Sequence, residues 1–238
     1  GGVDIDLNAG TFLHANGDVG TVVGIENVEA GAGADRIVGS KGVNVLAGGG
    51  GGDFLVGLAG DDKLFGEGGD DKLFGNSGAD QMDGGLGADQ MSGGAGADTM
   101  LGQGGDDVMF GGTENDRLVG GGGNDVLSGD AGDDKLFGNS GADRLDGGQG
   151  ADALSGGGGV DVFIFKIASG FDTVADFAVN VDKLDVSAYG FGTFAEIAPL
   201  LSDGAAGAEI ALNGAADVVR LTGVAVIDLD AADFLFAG

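Results

Sequence analysis

The sequence predicts an all-β fold: a right-handed parallel β-roll of nonapeptide repeats, with 18 residues per coil and a β-rich cap at its C-terminal end. Three observations predict it. A nine-residue period runs without insertion from Asp35 to Asp161, glycine supplies 56 of the 238 residues, and a large apolar residue stands two positions after each residue on the period. Repeats this short bury an apolar face only by stacking on one another, which indicates a solenoid.

Each repeat follows the pattern GGxGxDxUx, where U is a large apolar residue. Fourteen of the fifteen positions on the period are aspartate, and a glycine stands two residues before each position except at Glu114. The U positions are Ile37, Leu46, Leu55, Leu64, Leu73, Met82, Met91, Met100, Met109, Leu118, Leu127, Leu136, Leu145, Leu154 and Phe163. We expect these side chains to form a thin apolar spine.

The repeat predicts its own local structure. Six residues of turn chemistry precede three residues that suit a short strand with its central side chain inward, and glycine supplies the backbone angles that sharp turns need. Two repeats make one coil, and coils stack about 4.8 Å apart. One buried side chain per repeat stabilises less than the ordering of nine glycine-rich residues costs. The roll therefore needs a second source of stability.

Stacking places the period residues in two columns, one on each edge of the roll. The first column contains Asp35, Asp53, Asp71, Asp89, Asp107, Asp125, Asp143 and Asp161, and the second contains Asn44, Asp62, Asp80, Asp98, Asp116, Asp134 and Asp152. Neighbouring carboxylates repel unless a cation lies between them. Carboxylate and backbone carbonyl oxygens suit Ca²⁺ better than Mg²⁺, so we predict that all fifteen residues are calcium ligands.

The net charge of −29 has a simple explanation in these columns. One ion between each adjacent pair gives up to about 13 Ca²⁺ ions, which would neutralise nearly all of the negative charge. The site at Asn44 should be weaker because an amide carries no charge. The sites on either side of Asp116 should also be weakened, because Glu114 places a β-carbon where the other turns have glycine.

Composition excludes several classes of function. The strong negative charge argues against nucleic acid as a partner, and no apolar run is long enough for a transmembrane segment. One histidine and no cysteine exclude HExxH metalloprotease sites, Ser-His-Asp triads and thiolate sites. A paired-carboxylate hydrolase is not excluded by residue type, but the spare acids lie on the nine-residue period. We predict that the chain is not an enzyme, although a catalytic domain upstream of it is compatible with the sequence.

The period occupies residues 30–164 and is preceded by residues 1–29, in which VDIDL and TVVGI predict strands around a loop. Residues 21–29 also fit the period in a degenerate form, with Gly24, Glu26 and Val28 at the Gly, Asp and U positions. We interpret this segment as an entry coil and leave open whether Glu26 binds metal. The single histidine, His14, is expected in a surface loop.

Residues 165–238 no longer follow the period, and we expect them to cap the exposed end of the apolar spine. The stretch FAEIAPLLSDG predicts a short helix or turn, and AEIALNG and DVVRLTG predict two strands.

The nonapeptides resemble those of the RTX (repeats-in-toxin) family. FDTVADF and DKLDVSA are similar to the segment that follows the roll in serralysin-type proteases and alginate epimerases, and ADFLFAG looks like the uncleaved C-terminal signal of type I secretion. The resemblance implies that Asp172 and Asp176 are further calcium ligands. It also implies export of an unfolded chain from a Gram-negative bacterium through the type I secretion machinery, which reads its C-terminus, and folding when extracellular Ca²⁺ arrives.

Two functions follow from this reasoning. The first is a non-catalytic calcium-binding module that supports type I secretion of a larger exported protein. The alternative is a calcium-dependent structural domain at the cell surface, such as an S-layer or adhesin element. The sequence leaves open whether the chain associates with itself or contacts a surface polysaccharide.

Overall fold

The computed structural model describes residues 2–14, 19–21, 24–214 and 216–237. In chain order its strands are β1 (Val3–Asp6), β2 (Thr11–His14), β3 (Val19–Thr21), β4 (Asn27–Glu29), β5 (Arg36–Val38), β6 (Val45–Gly50), β7 (Phe54–Ala59), β8 (Lys63–Gly68), β9 (Lys72–Ser77), β10 (Gln81–Leu86), β11 (Gln90–Ala95), β12 (Thr99–Gly104), β13 (Val108–Thr113), β14 (Arg117–Gly122), β15 (Val126–Ala131), β16 (Lys135–Ser140), β17 (Arg144–Asp146), β18 (Ala153–Gly158), β19 (Val162–Ile164), β20 (Phe171–Val174), β21 (Lys183–Asp185), β22 (Leu201–Asp203), β23 (Gly207–Ala211), β24 (Val218–Thr222) and β25 (Phe234–Leu235). One short helix, α1 (Phe194–Ile197), and four 3₁₀ turns complete the described structure.

Successive strands alternate between two sheets from β4 to β21. Within this range the even-numbered strands belong to a 12-stranded sheet and the odd-numbered strands to a 13-stranded sheet, and the pairing between repeats is parallel. Leu64 pairs with Met82, and Met91 pairs with Met109, in both cases 18 residues apart. The prediction of an all-β parallel roll with two repeats per coil is confirmed.

The apolar spine lies between the two sheets. All fifteen U side chains are buried, and none exposes more than 2% of its surface. They form one continuous apolar cluster with side chains that follow them in the chain, including Phe165, Val174 and Leu184. The burial of each U residue follows from strand geometry, because the residues on either side of it point to the opposite face.

Most repeat strands have six residues, and the prediction of three-residue strands was wrong. A strand such as β9 continues past its apolar residues into the turn residues of the next repeat and stays paired with the coils above and below. Two left-handed residues bend the chain here, Asn76 (φ 74°) near the end of β9 and Gly78 (φ 129°) just after it. The glycine-rich part of the repeat thus pairs as a strand before it turns.

The N-terminal segment adds three strands to one end of the 13-stranded sheet. β1 pairs in parallel with β5 and antiparallel with β2, which occupies the stretch predicted to be a loop. His14 ends β2 and does not lie in a loop. The predicted strand TVVGI falls partly on residues outside the described ranges; β3 ends at Thr21, and residues 24 and 25 are not in a strand.

The segment interpreted as an entry coil stacks on the first repeats in the register of the period. β4 pairs with β6 so that Val28 lies opposite Leu46, one coil away along the spine. The side chain of Glu26 is exposed, and its carbonyl oxygen accepts a hydrogen bond from the Val45 N–H at 3.0 Å.

Stacking continues beyond the regular period. β20 pairs with β18, and β21 pairs with β19, although the spacing rises from 18 residues to 20 and 21. β24 then pairs with β20, and β22, β23 and β24 form an antiparallel meander. The predicted short helix is α1 with the 3₁₀ turn Ala198–Leu200, and the two predicted strands are β23 and β24. None of the helices in the described ranges is long and apolar enough to cross a bilayer.

Candidate metal centre

The two predicted columns exist in the structure, and each column residue immediately precedes a strand. Its side chain points inward, on the same side of the backbone as the U residue two positions later. All fourteen column aspartates and Asn44 are buried, with at most 4% of their surface exposed. Burial of so many carboxylates is costly unless each is compensated by donors or cations.

One oxygen of each column aspartate is compensated by the backbone. From Asp53 to Asp161, Oδ1 accepts a hydrogen bond of 2.7–3.0 Å from the N–H of the column residue one coil earlier. These thirteen bonds join every coil to the next along both edges. The carboxylates are therefore structural acceptors as well as candidate ligands.

The second oxygen of these carboxylates has no hydrogen-bond partner among the described residues. Oδ2 is buried and unpartnered in each of the thirteen aspartates from Asp53 to Asp161 that stand on the period. An unsatisfied buried polar atom costs about 1–3 kcal/mol, and more when it carries charge. Two rows of such oxygens therefore favour a cation along both edges whenever the carboxylates are ionised.

Glycine at the first position of the repeat makes room for this oxygen, and we did not anticipate that role. A β-carbon added to Gly66 would lie within 3.0 Å of Asp71 Oδ2 and of the Gly84 carbonyl oxygen. The same crowding with the aspartate Oδ2 recurs at every first-position glycine from Gly48 to Gly156. The signal was present in the sequence, because this position is glycine in every repeat from Gly39 onward.

Burial raises the pKa of the thirteen column aspartates from Asp53 to Asp161 above the ordinary value of 3.8. The pKa rises to about 7 in Asp71, Asp80, Asp107, Asp116 and Asp134, and to about 6 in Asp62, Asp98, Asp143, Asp152 and Asp161. The N–H donors lower the pKa but do not offset burial, and in Asp71 the charges of the neighbouring Asp53 and Asp89 raise it further. Without a cation, the carboxyls whose pKa is about 7 are therefore partly protonated at neutral pH, and those whose pKa is about 6 are mostly ionised.

The donor set fits Ca²⁺. No group of three or more His, Cys, Asp or Glu side chains converges in the described ranges, so carboxylates alone cannot supply the six to eight oxygens that Ca²⁺ accepts. Backbone carbonyls would have to supply the remainder, and one is in place beside Gly66, where the Gly84 carbonyl oxygen and Asp71 Oδ2 both lie close to the glycine. Hard, mixed carboxylate and carbonyl sites with flexible geometry suit Ca²⁺ better than Mg²⁺.

Asn44 differs from the aspartates in its surroundings. Its Oδ1 accepts a hydrogen bond from the Ser40 N–H at 2.7 Å, and its Nδ2 donates to the Glu26 carbonyl at 3.2 Å. The amide is thus satisfied by neighbouring groups, and a weaker metal site at Asn44 stays a prediction.

Glu114 keeps the turn conformation without glycine. Its φ is 72°, whereas the glycines at this position of the turn have values of about 114–146° from Gly60 onward. The Glu114 Oε2 accepts hydrogen bonds from the Gly96 N–H at 2.8 Å and the Thr113 hydroxyl at 2.6 Å. The backbone has adjusted to the β-carbon, and weaker metal binding beside Asp116 stays a prediction.

The columns continue past the regular period in Asp172 and Asp182. Asp172 Oδ1 accepts from the Asp152 N–H at 3.2 Å, and Asp182 Oδ1 accepts from the Asp161 N–H at 3.0 Å. Asp182 was missed because the wider spacing hides it, although Asp182-Lys-Leu184 has the aspartate and U spacing of a repeat. Asp176 is exposed and lies outside both columns, where its carboxylate accepts from the N–H groups of Gly156 and Gly157.

Comparisons with known proteins agree with this geometry. A family model of the RTX calcium-binding nonapeptide repeat (4 copies) matches residues 22–55, 47–82, 56–91, 83–118, 110–145 and 128–163, which together make up more than half of the chain. No curated protein sequence matches the chain.

Two solved structures are similar to the chain. The AlgE6R3 subunit of the mannuronan C5-epimerase from Azotobacter vinelandii is 32% identical, with 52% of this chain and 79% of that chain covered and a TM-score of 0.44. The extracellular lipase LipA from Serratia marcescens is 19% identical, with 88% of this chain and 41% of the lipase covered and a TM-score of 0.40. The chain thus spans less than half the length of the lipase.

The period, the two columns of buried aspartates and the family match lead to one assignment. The chain belongs to the family of RTX calcium-binding nonapeptide repeat proteins.

Proposed function

We propose that the chain is a non-catalytic module that folds on binding extracellular Ca²⁺ and supports type I secretion of a larger exported protein. The observation that carries the proposal is the set of thirteen buried Oδ2 atoms, aligned on two edges and without hydrogen-bond partners in the described structure. Up to about 13 ions would fit between neighbouring column residues, given the oxygen-rich donors that Ca²⁺ prefers.

The column aspartates would hold the ions through Oδ2 while Oδ1 keeps the hydrogen bonds between coils. Bound Ca²⁺ supplies the positive charge that the stacked carboxylates require. In an unfolded chain the same carboxylates are hydrated and repel one another, so the rows exist only in the folded state. The free energy of binding then contributes directly to folding.

This coupling suits a protein that crosses the envelope unfolded. Extracellular calcium modules bind at about 0.1–1 mM, so their sites stay empty at cytosolic calcium levels and fill outside the cell. The family match and the likeness of ADFLFAG to a type I secretion signal support export from a Gram-negative cell. We place the folded module in the medium or at the cell surface.

Far-UV circular dichroism of the chain tests the folding mechanism. In EDTA we expect a largely disordered spectrum, and near-millimolar Ca²⁺ should convert it cooperatively to a β-rich one. Mg²⁺ at the same concentration should have a much weaker effect. A β-rich spectrum in EDTA at neutral pH would contradict the proposal.

A pair of charge-matched variants tests the columns themselves. Asp98→Asn removes a buried column charge and should raise the calcium midpoint. Asp83→Asn makes the same change on the outer face of β10, where the side chain is only half-buried, and should leave the midpoint unchanged. Equal shifts in the two variants would show that net charge, and not the columns, governs calcium-dependent folding.

Export can be tested separately. In a Gram-negative cell that expresses a type I exporter, the whole chain should reach the medium, whereas a chain without residues 232–238 should stay inside. Equal export of both forms would remove the assigned role of the C-terminus.

The alternative, a structural element of the cell surface, makes a different prediction. Sedimentation of the folded chain in Ca²⁺ should show monomers if it is a folding and secretion module. Calcium-dependent filaments or sheets would favour the alternative.

A further inference from the structure

All four methionines of the chain stand at consecutive U positions in the middle of the roll. The other U positions hold leucine, isoleucine or phenylalanine. The methionines lie in four successive strands, β10 to β13, and so occupy two complete coils; they are Met82, Met91, Met100 and Met109. We call residues 81–113 the methionine block.

The folded roll shields these side chains from solvent. Met82 pairs with Met100 in one sheet, and Met91 pairs with Met109 in the other. None of the four exposes more than 2% of its surface. In both sheets a leucine pairs with the methionine at each end of the block. The thioethers are therefore concentrated in one enclosed part of the apolar spine.

Packing does not explain why methionine stands in these coils. The strands of the block have the same six-residue length as β14 and β16, which have leucine at the U position. The Asp89 N–H donates to Asp107 at 2.9 Å inside the block, and the Asp53 N–H donates to Asp71 at 2.7 Å outside it. Leucine and methionine exchange at little cost in most cores. The property that distinguishes methionine is the reactivity of its sulfur toward oxidants.

The surroundings of each sulfur atom are unsuited to an added oxygen. The inner face of β12, together with the column residue before it, consists of Asp98, Met100 and Gly102. An ionised Asp98 only accepts hydrogen bonds, its N–H already donates to Asp116, and glycine has no side chain. A sulfoxide oxygen is an acceptor and would meet no free side-chain donor on this face. Burial of such an unsatisfied group opposes folding.

We propose that the methionine block is a site of oxidative modification at which peroxide and Ca²⁺ compete: peroxide oxidises the thioethers of the calcium-free chain, and the sulfoxides prevent the middle coils from stacking. The inference rests on the proposed function, because it requires that the calcium-free chain is unfolded. Each thioether takes one oxygen atom from a peroxide. The O–O bond breaks, an S–O bond forms, and sulfur loses the two electrons that the peroxide gains. The proton on the transferred oxygen passes to the departing oxygen, so hydrogen peroxide leaves as water.

The position of the block determines what oxidation does to the roll. In a repeat protein each coil contacts only its neighbours, so order passes from coil to coil. Two disrupted coils in the middle would separate the N-terminal repeats from the cap formed by residues 165–238. Ca²⁺ that arrives first buries the sulfur atoms, and peroxide that arrives first prevents their burial.

The order of addition tests the proposal. The chain is treated with hydrogen peroxide either in EDTA or in saturating Ca²⁺, the peroxide is removed, and calcium-dependent folding is followed by circular dichroism. Treatment in EDTA should oxidise all four methionines, as measured by peptide mass spectrometry, and should remove most of the calcium-induced β-rich signal. Treatment in Ca²⁺ should leave the methionines and the signal unchanged. Equal oxidation in both conditions, or complete folding of the oxidised chain, would overturn the proposal.

Hydrogen exchange in Ca²⁺ shows where the oxidised chain is disrupted. Amide protection should be lost in the methionine block, relative to the untreated chain. A block that keeps its protection while other repeats lose theirs would contradict the assigned position of the effect.

A chain with leucine at all four positions is the matched control, because these substitutions nearly conserve volume. It combines Met82→Leu, Met91→Leu, Met100→Leu and Met109→Leu. It should fold in Ca²⁺ and be unaffected by prior peroxide treatment, since the chain has no other methionine and no cysteine or tryptophan. A loss of folding after peroxide as large as that of the original chain would place the damage elsewhere and overturn the proposal.

Enzymatic repair decides the question if the leucine variant does not fold. Methionine sulfoxide reductases of both stereospecificities convert the sulfoxides back to thioethers. The oxidised original chain should then recover its calcium-induced β-rich signal, and repair without recovery would overturn the proposal.

The proposed function and this inference fail separately. If the untreated chain shows no calcium-dependent change in circular dichroism, the proposed function is wrong. If the untreated chain folds with Ca²⁺ and the oxidised chain folds equally well, only the role of the methionine block is wrong.

Discussion

The two oxygens of each column aspartate have different tasks in the structure. In Asp107, Oδ1 accepts the Asp89 N–H at 2.9 Å, whereas Oδ2 faces the α-carbon of Gly102. The first interaction fixes one coil against another, and the second leaves an oxygen available to a cation. Substitution at a column position therefore affects both stacking and metal binding, while substitution of the first-position glycine affects mainly the space around Oδ2.

Gly102→Ala should raise the calcium concentration needed for folding. Its β-carbon would lie within 3.0 Å of Asp107 Oδ2 and the Gly120 carbonyl oxygen, and relief of such crowding costs about 1–3 kcal/mol. Gly104→Ala is the matched control, because its β-carbon would meet only Leu86 Cδ2, at 3.7 Å. Calcium titrations followed by circular dichroism should shift for Gly102→Ala only; equal midpoints would contradict the role assigned to this glycine.

Asp89→Ala should weaken calcium binding more than Asn44→Ala. Oδ1 of Asp89 accepts a hydrogen bond from the Asp71 N–H, and its Oδ2 has no partner among the described residues. The Asn44 amide, in contrast, is satisfied by Ser40 and the Glu26 carbonyl. Isothermal titration calorimetry of the two variants measures the difference. Equal losses of affinity would argue against ion binding between successive column carboxylates.

At the scale of the element, each strand is held by its apolar residue and by pairing on both sides. β12 pairs with β10 and β14, and Met100 is fully buried between the sheets. Because each coil has few apolar side chains, every spine residue is a large share of the local core.

Met100→Ala should therefore lower the thermal midpoint of the calcium-bound chain substantially. Truncation of a buried methionine costs about 2–5 kcal/mol. Leu86→Ala, at a side chain 72% exposed, serves as the control and should change the midpoint little. A small effect of Met100→Ala, measured by thermal denaturation in saturating Ca²⁺, would show that metal binding alone determines stability.

Much of this arrangement was predictable from spacing. The nine-residue period determines the alternation between sheets, the spine and both columns, because an inserted residue would move every later side chain to the other face. Strand length was not predictable in the same way, since glycine-rich turn residues such as those after Phe74 pair only because neighbouring coils supply partners. Asp182 was missed because loops of unequal length separate it from Asp161, and tertiary pairing rather than spacing aligns the two.

At the scale of the whole molecule, electrostatics links folding to both calcium and pH. The chain carries a net charge of −29. Burial raises the pKa of the column carboxyl to about 6–7 in most repeats. Unfolded aspartates titrate near 3.9. The metal-free roll thus binds more protons than the unfolded chain between about pH 4 and pH 7, and its stability falls as pH rises through this window.

Acidity should consequently have opposite effects with and without calcium. In EDTA, lowering the pH from 8 to 5.5 should increase the β-rich fraction seen by circular dichroism. In Ca²⁺, the same change should raise the calcium midpoint, because protons compete for the carboxylates. A calcium midpoint independent of pH over this range would contradict binding by these groups.

The hydrogen bonds between column residues all run in one direction, because each aspartate accepts from the coil before it. The roll therefore has polarity, as a filament of identical subunits does. Its leading end presents carboxylate oxygens and is covered by a donor, the Val3 N–H on Asp35, whereas its trailing end receives its acceptors from Asp172 and Asp182. The two terminal segments cannot exchange places, and a roll lengthened by whole coils between them would keep both ends matched.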